Sequence, residues 1–474
     1  MRILLLNPVT FSGKDFIRMC RNYREGAGDM GSWPPIDLAE IAAVLRRGEF
    51  NQLMILDSVI LRHSFKKMIA EILSFAPDLI IVHDITPALY DDKRMAKIVK
   101  EKAPNTKIAF FGVHATARPE DILGEEIEFA IRGEPEYTTL ELVRFLQDGK
   151  ANDMQSIKGL SFFSNGRRHD NPDRPLESNL DNLPTPARDL LDNKRYILLN
   201  KGVPFTIIRT GRGCPYSCIY CNSGLYSKNF WRLRSPRSIV GEIKNVRETT
   251  GINDFMFFSD TFTVKEKDVL ELCELIRKDC PGIRWICNSR TDTLTETMAL
   301  AMKQSGCWLV SLGIESGDEA ILKNIKKGTT IEDARKSVNL LQKTGIKSIG
   351  YYMFGLPGET PETIEKTITF SKELDTDYAY FFIATPFPGT EYFEVARREG
   401  WLISQDWRRY RQGASNVISF EALSGDEILQ AVPRGYLSFY LRPARIMKEC
   451  REIKNMKNIL QYIHIGCRIF ARTF

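Results

Sequence analysis

The sequence predicts an α/β protein with an N-terminal doubly wound parallel sheet, a partial (β/α)6 barrel and a C-terminal helical subdomain. Short apolar runs alternate with helical patterns over residues 1–148, the alternation resumes over 204–400, and a proline-rich stretch separates the two. At 474 residues the chain is too long for one core. We expect an N-terminal domain (1–148), a linker (149–203), a barrel (204–400) and a helical subdomain (401–474).

Composition narrows the class of protein. Hydrophobic residues at 43% and charged residues at 27% are ordinary for a globular protein, and a net charge of +6 does not indicate a nucleic-acid partner. Ten cysteines are too dilute for a disulfide scaffold, which favours a reducing cytoplasm. No apolar run approaches the roughly 18 residues of a spanning helix. We expect a cytoplasmic protein that is at most peripheral to a membrane.

The N-terminal strands are expected at Ile3–Leu6, Leu53–Leu56, Leu79–Val82, Ile108–Phe111 and Phe129–Ile131. Helical patterns lie between them, at Leu38–Arg47, Ser64–Phe75, Asp91–Lys102 and Tyr137–Leu146. Strands that alternate with helices form parallel sheets, which bind ligands at the carboxyl ends of the strands. No Gly-x-Gly-x-x-Gly follows the first strand, and there is no P-loop motif, so dinucleotide and nucleoside triphosphate sites are disfavoured.

A connector and a second alternating region follow. Gly159–Phe163 reads as a strand, and the proline-rich stretches 171–175 and 183–186 read as a linker with packed anchor points. Barrel strands are expected at Phe205–Arg209, Phe255–Phe258, Arg284–Cys287, Trp308–Gly313, Ser348–Phe354 and Ala379–Ala384. Helices are expected at Ser238–Thr249, Lys265–Lys278, Thr295–Ser305, Ile331–Thr344 and Pro361–Leu374. Catalytic groups of such a barrel belong at the carboxyl ends of its strands.

Three cysteines follow the first barrel strand. Cys214, Cys218 and Cys221 lie in a loop rich in glycine and proline, which lets three thiolates converge. Three ligands are one short of the four that usually close an iron–sulfur cluster or a structural zinc site. From the residues alone, a cluster with one open iron, a zinc knuckle and a chance trio of core cysteines remain open.

The spacing Cys-x3-Cys-x2-Cys, with Tyr220 before the third cysteine, resembles the signature of the radical S-adenosylmethionine (radical SAM) superfamily. The resemblance implies a 4Fe-4S cluster on the three cysteines and S-adenosylmethionine on the open iron. Polar strand ends also match the superfamily pattern in order. The resemblance therefore implies that eight residues contact S-adenosylmethionine: Tyr220, Ser259, Asp260, Ser289, Arg290, Glu315, Ser316 and Gly355. It assigns no separate catalytic residue.

The N-terminal region resembles the cobalamin-binding domain that precedes the barrel in many radical SAM enzymes. The resemblance implies cobalamin contacts from Trp33, Pro34, Thr86, Gly112, His114, Gly133 and Glu134. Two departures are visible: the Asp-x-His-x-x-Gly motif that supplies a cobalt-ligating histidine is absent, and Phe111 replaces the first glycine of the usual Gly-Gly. His83 and His114 lie at strand ends, where hydrogen-bonded loop histidines are commoner than cobalt ligands.

Three functions are weighed. The resemblance implies a radical methyltransferase that acts on an unactivated carbon. The alternative is a radical oxidative cyclase or rearrangement enzyme without methyl transfer, because residues 32–35, 85–88 and 324–328 look like segments of the anaerobic porphyrin-ester cyclase and hopanoid-associated branch. A non-enzymatic cobalamin or redox sensor is the third.

The expected partners are a small-molecule or lipid-like substrate and an electron donor such as flavodoxin or ferredoxin, without nucleic acid. The C-terminal patterns Ala431–Lys448 and Ile453–Phe470 are basic and aromatic. They fit a capping subdomain with a solvated basic face, or interfacial helices at the inner face of the membrane. Both interpretations stay open at this point.

Overall fold

The computed structural model describes residues 1–13, 16–19, 22–25, 32–148, 153–198, 201–413 and 417–452. It contains two seven-stranded sheets, one in the N-terminal region and one in the central region, each flanked by helices. The sheets follow one another along the chain, as the two alternating regions of the sequence predict. The predicted fold class is therefore confirmed.

The N-terminal strands are β1 (Ile3–Asn7), β2 (Phe16–Met19), β3 (Asn22–Glu25), β4 (Leu53–Asp57), β5 (Leu79–Asp84), β6 (Lys107–Gly112), β7 (Phe129–Ile131), β8 (Leu160–Ser164) and β9 (Arg167–Asp170). The sheet order is β4-β1-β5-β6-β7-β8-β9, and its first five strands are parallel. Strand β1 is buried along its whole length, which explains its continuous apolar run. Strands β2 and β3 form a separate two-stranded hairpin.

The helices of this region are α1 (Ile36–Arg47), α2 (Phe65–Phe75), α3 (Leu89–Lys102), α4 (Val113–Ala117) and α5 (Pro135–Asp148). Helix α2 begins after Ser64, whose hydroxyl accepts a hydrogen bond from the Lys67 amide and caps the first turn. The four long helices lie where the sequence predicts them, within a few residues at each end.

Strands β8 and β9 extend the N-terminal sheet past residue 148. Strand β8 pairs antiparallel with β7, and Phe162 faces Phe129 across the ladder. The hairpin turn places Asn165 and Gly166 at φ +51° and +73°, the left-handed conformation that two-residue hairpin loops need. The connector therefore begins as part of the sheet and continues as an irregular segment over 171–195.

The central strands are β10 (Ile197–Leu198), β11 (Val203–Arg209), β12 (Gly211–Arg212), β13 (Arg232–Leu233), β14 (Asp254–Phe258), β15 (Arg284–Arg290), β16 (Cys307–Glu315), β17 (Lys347–Phe354) and β18 (Tyr378–Ile383). Strands β11, β14, β15, β16, β17 and β18 are parallel and follow one another in chain order. This is the predicted partial barrel. Strand β10 adds to its first edge in the antiparallel direction.

The central helices are α6 (Ser223–Ser227), α7 (Pro236–Thr250), α8 (Glu266–Asp279), α9 (Glu296–Gln304), α10 (Glu319–Asn324), α11 (Ile331–Thr344), α12 (Pro361–Leu374) and α13 (Glu391–Arg398). Thr330 and Thr360 each cap the following helix with a reciprocal capping box, which fixes where α11 and α12 begin. Each long helix returns the chain to the start of the next strand, so all six strands end at the same mouth.

The C-terminal part contains α14 (Gly425–Tyr440) and α15 (Pro443–Glu452). The expected helix over 431–448 is thus two helices, because Pro443 lacks a backbone N–H and disfavours helical geometry before it. Helix α14 starts earlier than expected because Ser424 and Glu427 form a capping box. The expected helix over 453–470 lies outside the described residues. No helix in the described part of the chain is long and apolar enough to cross a bilayer.

Candidate active site

The three cysteines lie in the loop that follows β12 at the mouth of the barrel. Cys214, Cys218 and Cys221 are half-buried free thiols, and the Cys221 amide donates to the Cys218 carbonyl at 3.1 Å in a tight turn. Gly213 has φ +85°, and a Cβ there would lie 2.1 Å from the Phe230 carbonyl oxygen. Only glycine fits this close approach, so Gly213 sets the path of the cysteine loop.

All three cysteines line one cavity of about 320 Å³ at the barrel mouth. The cavity also receives predicted site residues from three strand ends and from the cysteine loop: Tyr220, Asp260, Ser289, Arg290 and Glu315. From the N-terminal region it receives Ile17, Met19 and Trp33. The cavity therefore joins the cysteine loop, the barrel strand ends and the N-terminal region.

A buried ion pair lies in the cavity wall. Lys327 Nζ donates to Glu315 Oε1 at 2.7 Å and lies 3.5 Å from the Tyr220 hydroxyl. Burial is the largest single influence and lowers the pKa of Lys327, but the Glu315 carboxylate and Cys218 together outweigh burial, so the pKa is raised. Lys327 is therefore an ammonium group at neutral pH. Glu315 has φ +70°, at an irregularity in the β16–β17 ladder that turns its side chain towards this lysine.

Arg290 is held rigidly beside this pair. Its guanidinium donates to the Asp292 carboxylate at 2.8 and 2.9 Å and to the Lys327 carbonyl at 2.7 Å. The guanidinium carbon also lies 3.5 Å from the centroid of the Tyr216 ring, within the cysteine loop. Arg290 thus links the end of β15 to the cysteine loop and brings positive charge to the cavity.

The neighbouring strand ends supply neutral and acidic groups. The Ser223 hydroxyl donates to the Asp260 carboxylate, and Asn288 Nδ2 donates to the Asp260 carbonyl at 3.1 Å. Asn288 Oδ1 is buried in the cavity wall with no hydrogen-bond partner within the described residues. Ser289 and Thr263 share a short hydrogen bond of 2.5 Å. An unsatisfied buried acceptor beside a carboxylate suits a ligand with an ammonium or hydroxyl donor.

Three predicted contact residues do not line the cavity. Ser259 is buried at the end of β14, and its hydroxyl has no hydrogen-bond partner within the described residues. Ser316 lies 3.2 Å from the Thr367 hydroxyl and accepts from the Asp318 amide, which shapes the entry to α10. The Gly355 amide donates to Glu359 at 2.5 Å. These residues support the strand-end loops in this structure.

The donor set fits the expected cluster and S-adenosylmethionine. Among the described residues, no three His, Cys, Asp or Glu side chains are grouped to hold a single metal ion. The three cysteines share a cavity with one lysine, one arginine and two carboxylates. Thiolates suit iron, the cations suit a carboxylate, and the acids and Asn288 suit an ammonium group and ribose hydroxyls.

The N-terminal strand ends bring three predicted cobalamin contacts together. His114 Nδ1 lies 3.2 Å from the Thr86 hydroxyl, and His114 Nε2 lies 3.3 Å from Asp121 Oδ2. A Cβ on Gly112 would lie 2.1 Å from the Asp84 carbonyl oxygen, so this position requires glycine. The His114 ring is fully buried and packs edge-on against Trp407, with centroids 5.2 Å apart. These contacts favour a hydrogen-bonded histidine over a cobalt ligand.

The other four predicted cobalamin contacts differ from one another in their surroundings. Glu134 accepts from Arg232 at 2.7 Å, and Gly133 has φ +70° with open space around it. Pro34 is buried, and Trp33 lines the cavity with its indole N–H buried and without a hydrogen-bond partner within the described residues. A buried, unsatisfied indole donor suits an acceptor such as a corrin amide carbonyl. The Trp33 environment therefore fits cobalamin.

Sequence reasoning missed an ionic interface between the N-terminal region and the barrel. Arg212 donates to Glu40 at 3.0 Å and to Glu136 at 2.5 Å, and Arg209 donates to Glu40 at 2.8 Å. Asp37 accepts a further bond from Arg209. It also missed Lys327. The partners of Arg209 and Arg212 lie 76–172 residues away along the chain, so the sequence gives no signal that they pair.

Comparison with known proteins shows which protein families this chain is similar to. The model of the radical SAM superfamily matches residues 208–371, and the model of the B12-binding domain matches residues 30–143. An uncharacterised methyltransferase of Pyrococcus horikoshii is 35% identical over 454 residues, which cover 95% of each chain. The anaerobic magnesium-protoporphyrin IX monomethyl ester cyclase of Rubrivivax gelatinosus is 27% identical over 98% of this chain and 81% of its own.

Two solved structures share the fold. The radical S-adenosylmethionine methyltransferase TsrM from Kitasatospora setae, with cobalamin and a [4Fe-4S] cluster bound, aligns with a TM-score of 0.69 at 18% identity and covers 94% of this chain and 89% of its own. The cobalamin-dependent radical enzyme OxsB aligns with a TM-score of 0.76 at 14% identity, over 100% of this chain and 72% of its own. The chain therefore belongs to the radical SAM superfamily, in the branch that carries a B12-binding domain, and is an enzyme that uses a 4Fe-4S cluster, S-adenosylmethionine and cobalamin.

Proposed function

We propose that this enzyme methylates an unactivated carbon of a small-molecule or lipid-like substrate. The observation that carries the proposal is the shared cavity, into which the three cysteines, the barrel strand ends and Trp33 of the B12-binding region all project. The bound cofactors supply the radical that removes hydrogen and the methyl group that replaces it. The methyltransferase relative, at 35% identity over almost the whole chain, supports the same reading.

In this proposal the residues of the chain bind and orient the cluster and S-adenosylmethionine. Cys214, Cys218 and Cys221 would hold the cluster, since they are the thiols that line the cavity. The Lys327 ammonium would bind the carboxylate of S-adenosylmethionine, and Glu315 would keep that ammonium charged. Asp260 and Asn288 Oδ1 would accept hydrogen bonds from the methionine ammonium or the ribose.

The cobalamin contacts remain part of the proposal. Trp33 would donate to a corrin amide, and Thr86, Gly112, Gly133 and His114 would shape the strand ends of the B12-binding region. Glu134 would act through Arg232, which it binds at 2.7 Å. We retain domain limits near residues 148, 203 and 400, with the β8–β9 hairpin attached to the first sheet.

A second candidate is a cobalamin-dependent oxidative cyclase without methyl transfer. It is favoured by the relatives named as magnesium-protoporphyrin IX monomethyl ester cyclases, one of which matches 98% of this chain at 27% identity. Both candidates use the same cavity and the same cofactors. They differ in the fate of the methyl group of S-adenosylmethionine.

Methyl labelling separates the two candidates. The reconstituted enzyme is reduced under anaerobic conditions with methyl-labelled S-adenosylmethionine and cobalamin, and the extracted cobalamin is separated in the dark. Label on cobalamin supports methyl transfer. Unlabelled cobalamin together with release of 5′-deoxyadenosine would support the cyclase instead. The matched Cys218→Ala protein, which would lack a cluster ligand, controls for adventitious labelling.

Two further partners belong to the proposal. A small reductase such as flavodoxin or ferredoxin would reduce the cluster in the cytoplasm. The C-terminal region would touch the inner face of the membrane through Leu441, Ile446 and Met447, which are 46–62% exposed. Tyr436 does not contribute to such a face, because it packs against Phe381 with ring centroids 5.3 Å apart.

Liposome flotation tests the membrane contact. The full chain should float with anionic vesicles more than a protein truncated after residue 452, because the basic and aromatic segment 453–474 is then lost. The Met447→Asp protein should also float less. Equal flotation of all three proteins would exclude this contact and leave the methyltransferase proposal intact.

A further inference from the structure

The active-site cavity has two chemically different walls. The wall beside the cysteines carries every charged residue of the described lining: Asp260, Arg290, Glu315 and Lys327. The adjoining wall is formed by residues of β17, which pairs with β16 beside Glu315, and by residues of β18, the loop after β18 and the β2 hairpin strand. It exposes Tyr351, Met353, Phe382, Phe387, Ile17 and Met19. This second wall is called the apolar wall below.

The charged residues of the first wall already have partners of their own. Lys327 pairs with Glu315 at 2.7 Å, and Arg290 pairs with Asp292 at 2.8 Å. Asp260 is bonded to the Ser223 hydroxyl. The two cations and two carboxylates of this wall are also the kinds of group that bind the carboxylate and the ammonium of S-adenosylmethionine. A charged substrate that lay against the apolar wall would therefore find no residue of opposite charge on that wall within the described lining.

The apolar wall follows from the period of its strands. In β17, Tyr352 and Phe354 are fully buried behind the sheet, so the alternate residues Tyr351 and Met353 face the cavity. The ring of Tyr351 packs against that of Phe382 on β18, with centroids 5.7 Å apart. The same period in β2 turns Ile17 and Met19 to the cavity.

The neighbouring residue of β2 confirms this orientation. Arg18 points away from the cavity and forms a buried ion pair with Asp92 at 2.5 Å. The charged residue of the strand is thus kept out of the cavity. The polar residues that the cavity receives beside the apolar wall, Thr385 and Gln412, are neutral.

We propose that the part of the substrate that enters this cavity is uncharged and mainly apolar, and that it lies against Tyr351, Met353, Phe382 and Phe387. An ionised group buried there without a partner loses its hydration and gains no compensating bond. An aromatic or polyisoprenoid group, in contrast, gains from removing apolar surface from water. A charged group elsewhere on the substrate has to remain outside the cavity. This inference rests on the proposed function, because it takes this cavity as the place of reaction.

Three fluorescent probes that share one dansyl group test the inference. Dansylamide is uncharged, dansylglycine adds a carboxylate and dansylcadaverine adds an ammonium. Each is titrated into the reconstituted holoenzyme with S-adenosylmethionine and cobalamin bound, and the dissociation constant is read from dansyl fluorescence. We expect dansylamide to bind at least about tenfold more tightly than either charged probe. Equal or tighter binding of a charged probe would overturn the inference.

Two variants locate the bound probe. Phe382→Asp places a carboxylate in the apolar wall and should weaken dansylamide binding about tenfold or more. Leu300→Asp changes an exposed leucine on α9 that is not part of the cavity lining, and should leave binding unchanged. Unchanged binding in a Phe382→Asp protein with a full cluster would contradict the assignment to this wall. The comparison of the three probes on the unmodified enzyme stands even if that variant does not fold.

The outcome of the probe titrations can be distinguished from the outcome of the methyl-transfer test. Probe binding needs no turnover, whereas labelling of cobalamin needs no substrate. A protein that labels cobalamin but prefers a charged probe refutes only the substrate class. A protein that binds dansylamide but leaves cobalamin unlabelled refutes only methyl transfer.

Discussion

Arg212 of the barrel donates a 2.5 Å hydrogen bond to Glu136 of the B12-binding region, and both side chains are buried. Arg212 stands two residues before Cys214, the first cluster cysteine. The same guanidinium also binds Glu40 on α1 at 3.0 Å. The path of the cysteine loop is therefore tied to the domain that would hold cobalamin.

Replacement of Arg212 tests this connection. Arg212→Met keeps much of the side-chain length but leaves three neighbouring carboxylates, those of Glu40, Glu134 and Glu136, without this partner. Loss of one partner from a buried charge network costs about 3–5 kcal/mol. We expect a clear fall in the midpoint of thermal unfolding and a lower iron content after reconstitution.

The matched control is Arg335→Met. Arg335 pairs with Glu373 at 2.8 Å, but both side chains are almost half exposed. Such surface pairs contribute about 1 kcal/mol or less. Similar unfolding midpoints for the two variants would show that Arg212 does not hold the cysteine loop to the N-terminal domain.

Each cluster cysteine should be indispensable. Replacing Cys214, Cys218 or Cys221 by alanine removes one of the three thiols that line the cavity, so the iron–sulfur absorption and the cleavage of S-adenosylmethionine should both be lost. Cys273→Ala is the control, because Cys273 is buried on α8 outside the cavity lining. A single cluster variant that keeps full absorption and cleavage would refute the assignment.

Lys327 should contribute to the binding of S-adenosylmethionine. Lys327→Met removes the buried ammonium and leaves Glu315 without its partner, so the dissociation constant for S-adenosylmethionine should rise about tenfold or more. Equilibrium dialysis with labelled S-adenosylmethionine measures the change. Lys326→Met is the adjacent control, since Lys326 is exposed and pairs with Glu391. Equal affinity of the two variants would exclude Lys327 from the binding site.

Glu359 should make the stability of the barrel depend on pH. Burial raises its pKa from 4.5 to about 8, although it accepts hydrogen bonds from the Gly355 and Leu356 amides. The folded protein therefore keeps a proton that the unfolded chain releases above pH 4.5. The stability from this group is complete below pH 4.5 and is lost as the pH rises through about 8.

Glu359→Gln isolates this effect. The amide cannot ionise but its oxygen can still accept both backbone bonds, so the unfolding midpoint should change less between pH 5 and pH 8 than in the unmodified protein. Glu362→Gln, at an exposed position in the first turn of α12, is the control. An identical pH dependence in Glu359→Gln and the unmodified protein would contradict the raised pKa.

Much of the fold was predictable because its parallel strands are buried on both faces. Runs such as Ile3–Leu6 and Leu79–Val82 are continuously apolar, and helical patterns separate them. The hairpin strand Phe16–Met19 was missed, since four residues with an internal arginine give too little pattern. That arginine can be buried because Asp92 of a distant helix and the His83 carbonyl both accept from it.

The site was predictable in part. The spacing of the three cysteines and the polar strand ends pointed to residues that do share one cavity, among them Asp260, Arg290 and Glu315. Lys327 was missed, because only the turn of the backbone at Glu315 reveals that the two side chains meet. The division into a charged and an apolar wall was also missed, since it depends on which face of each strand turns to the cavity.

The central claim is that the barrel cavity, which Trp33 of the B12-binding region also lines, would hold the cluster and S-adenosylmethionine beside the bound cobalamin. Anaerobic reconstitution tests it most directly, with iron, sulfide and cobalamin quantified on the same sample before 5′-deoxyadenosine is assayed. We predict a full cluster and stoichiometric cobalamin on each chain, with reductive release of 5′-deoxyadenosine from S-adenosylmethionine. A protein with a full cluster that cleaves S-adenosylmethionine but retains no cobalamin would contradict it.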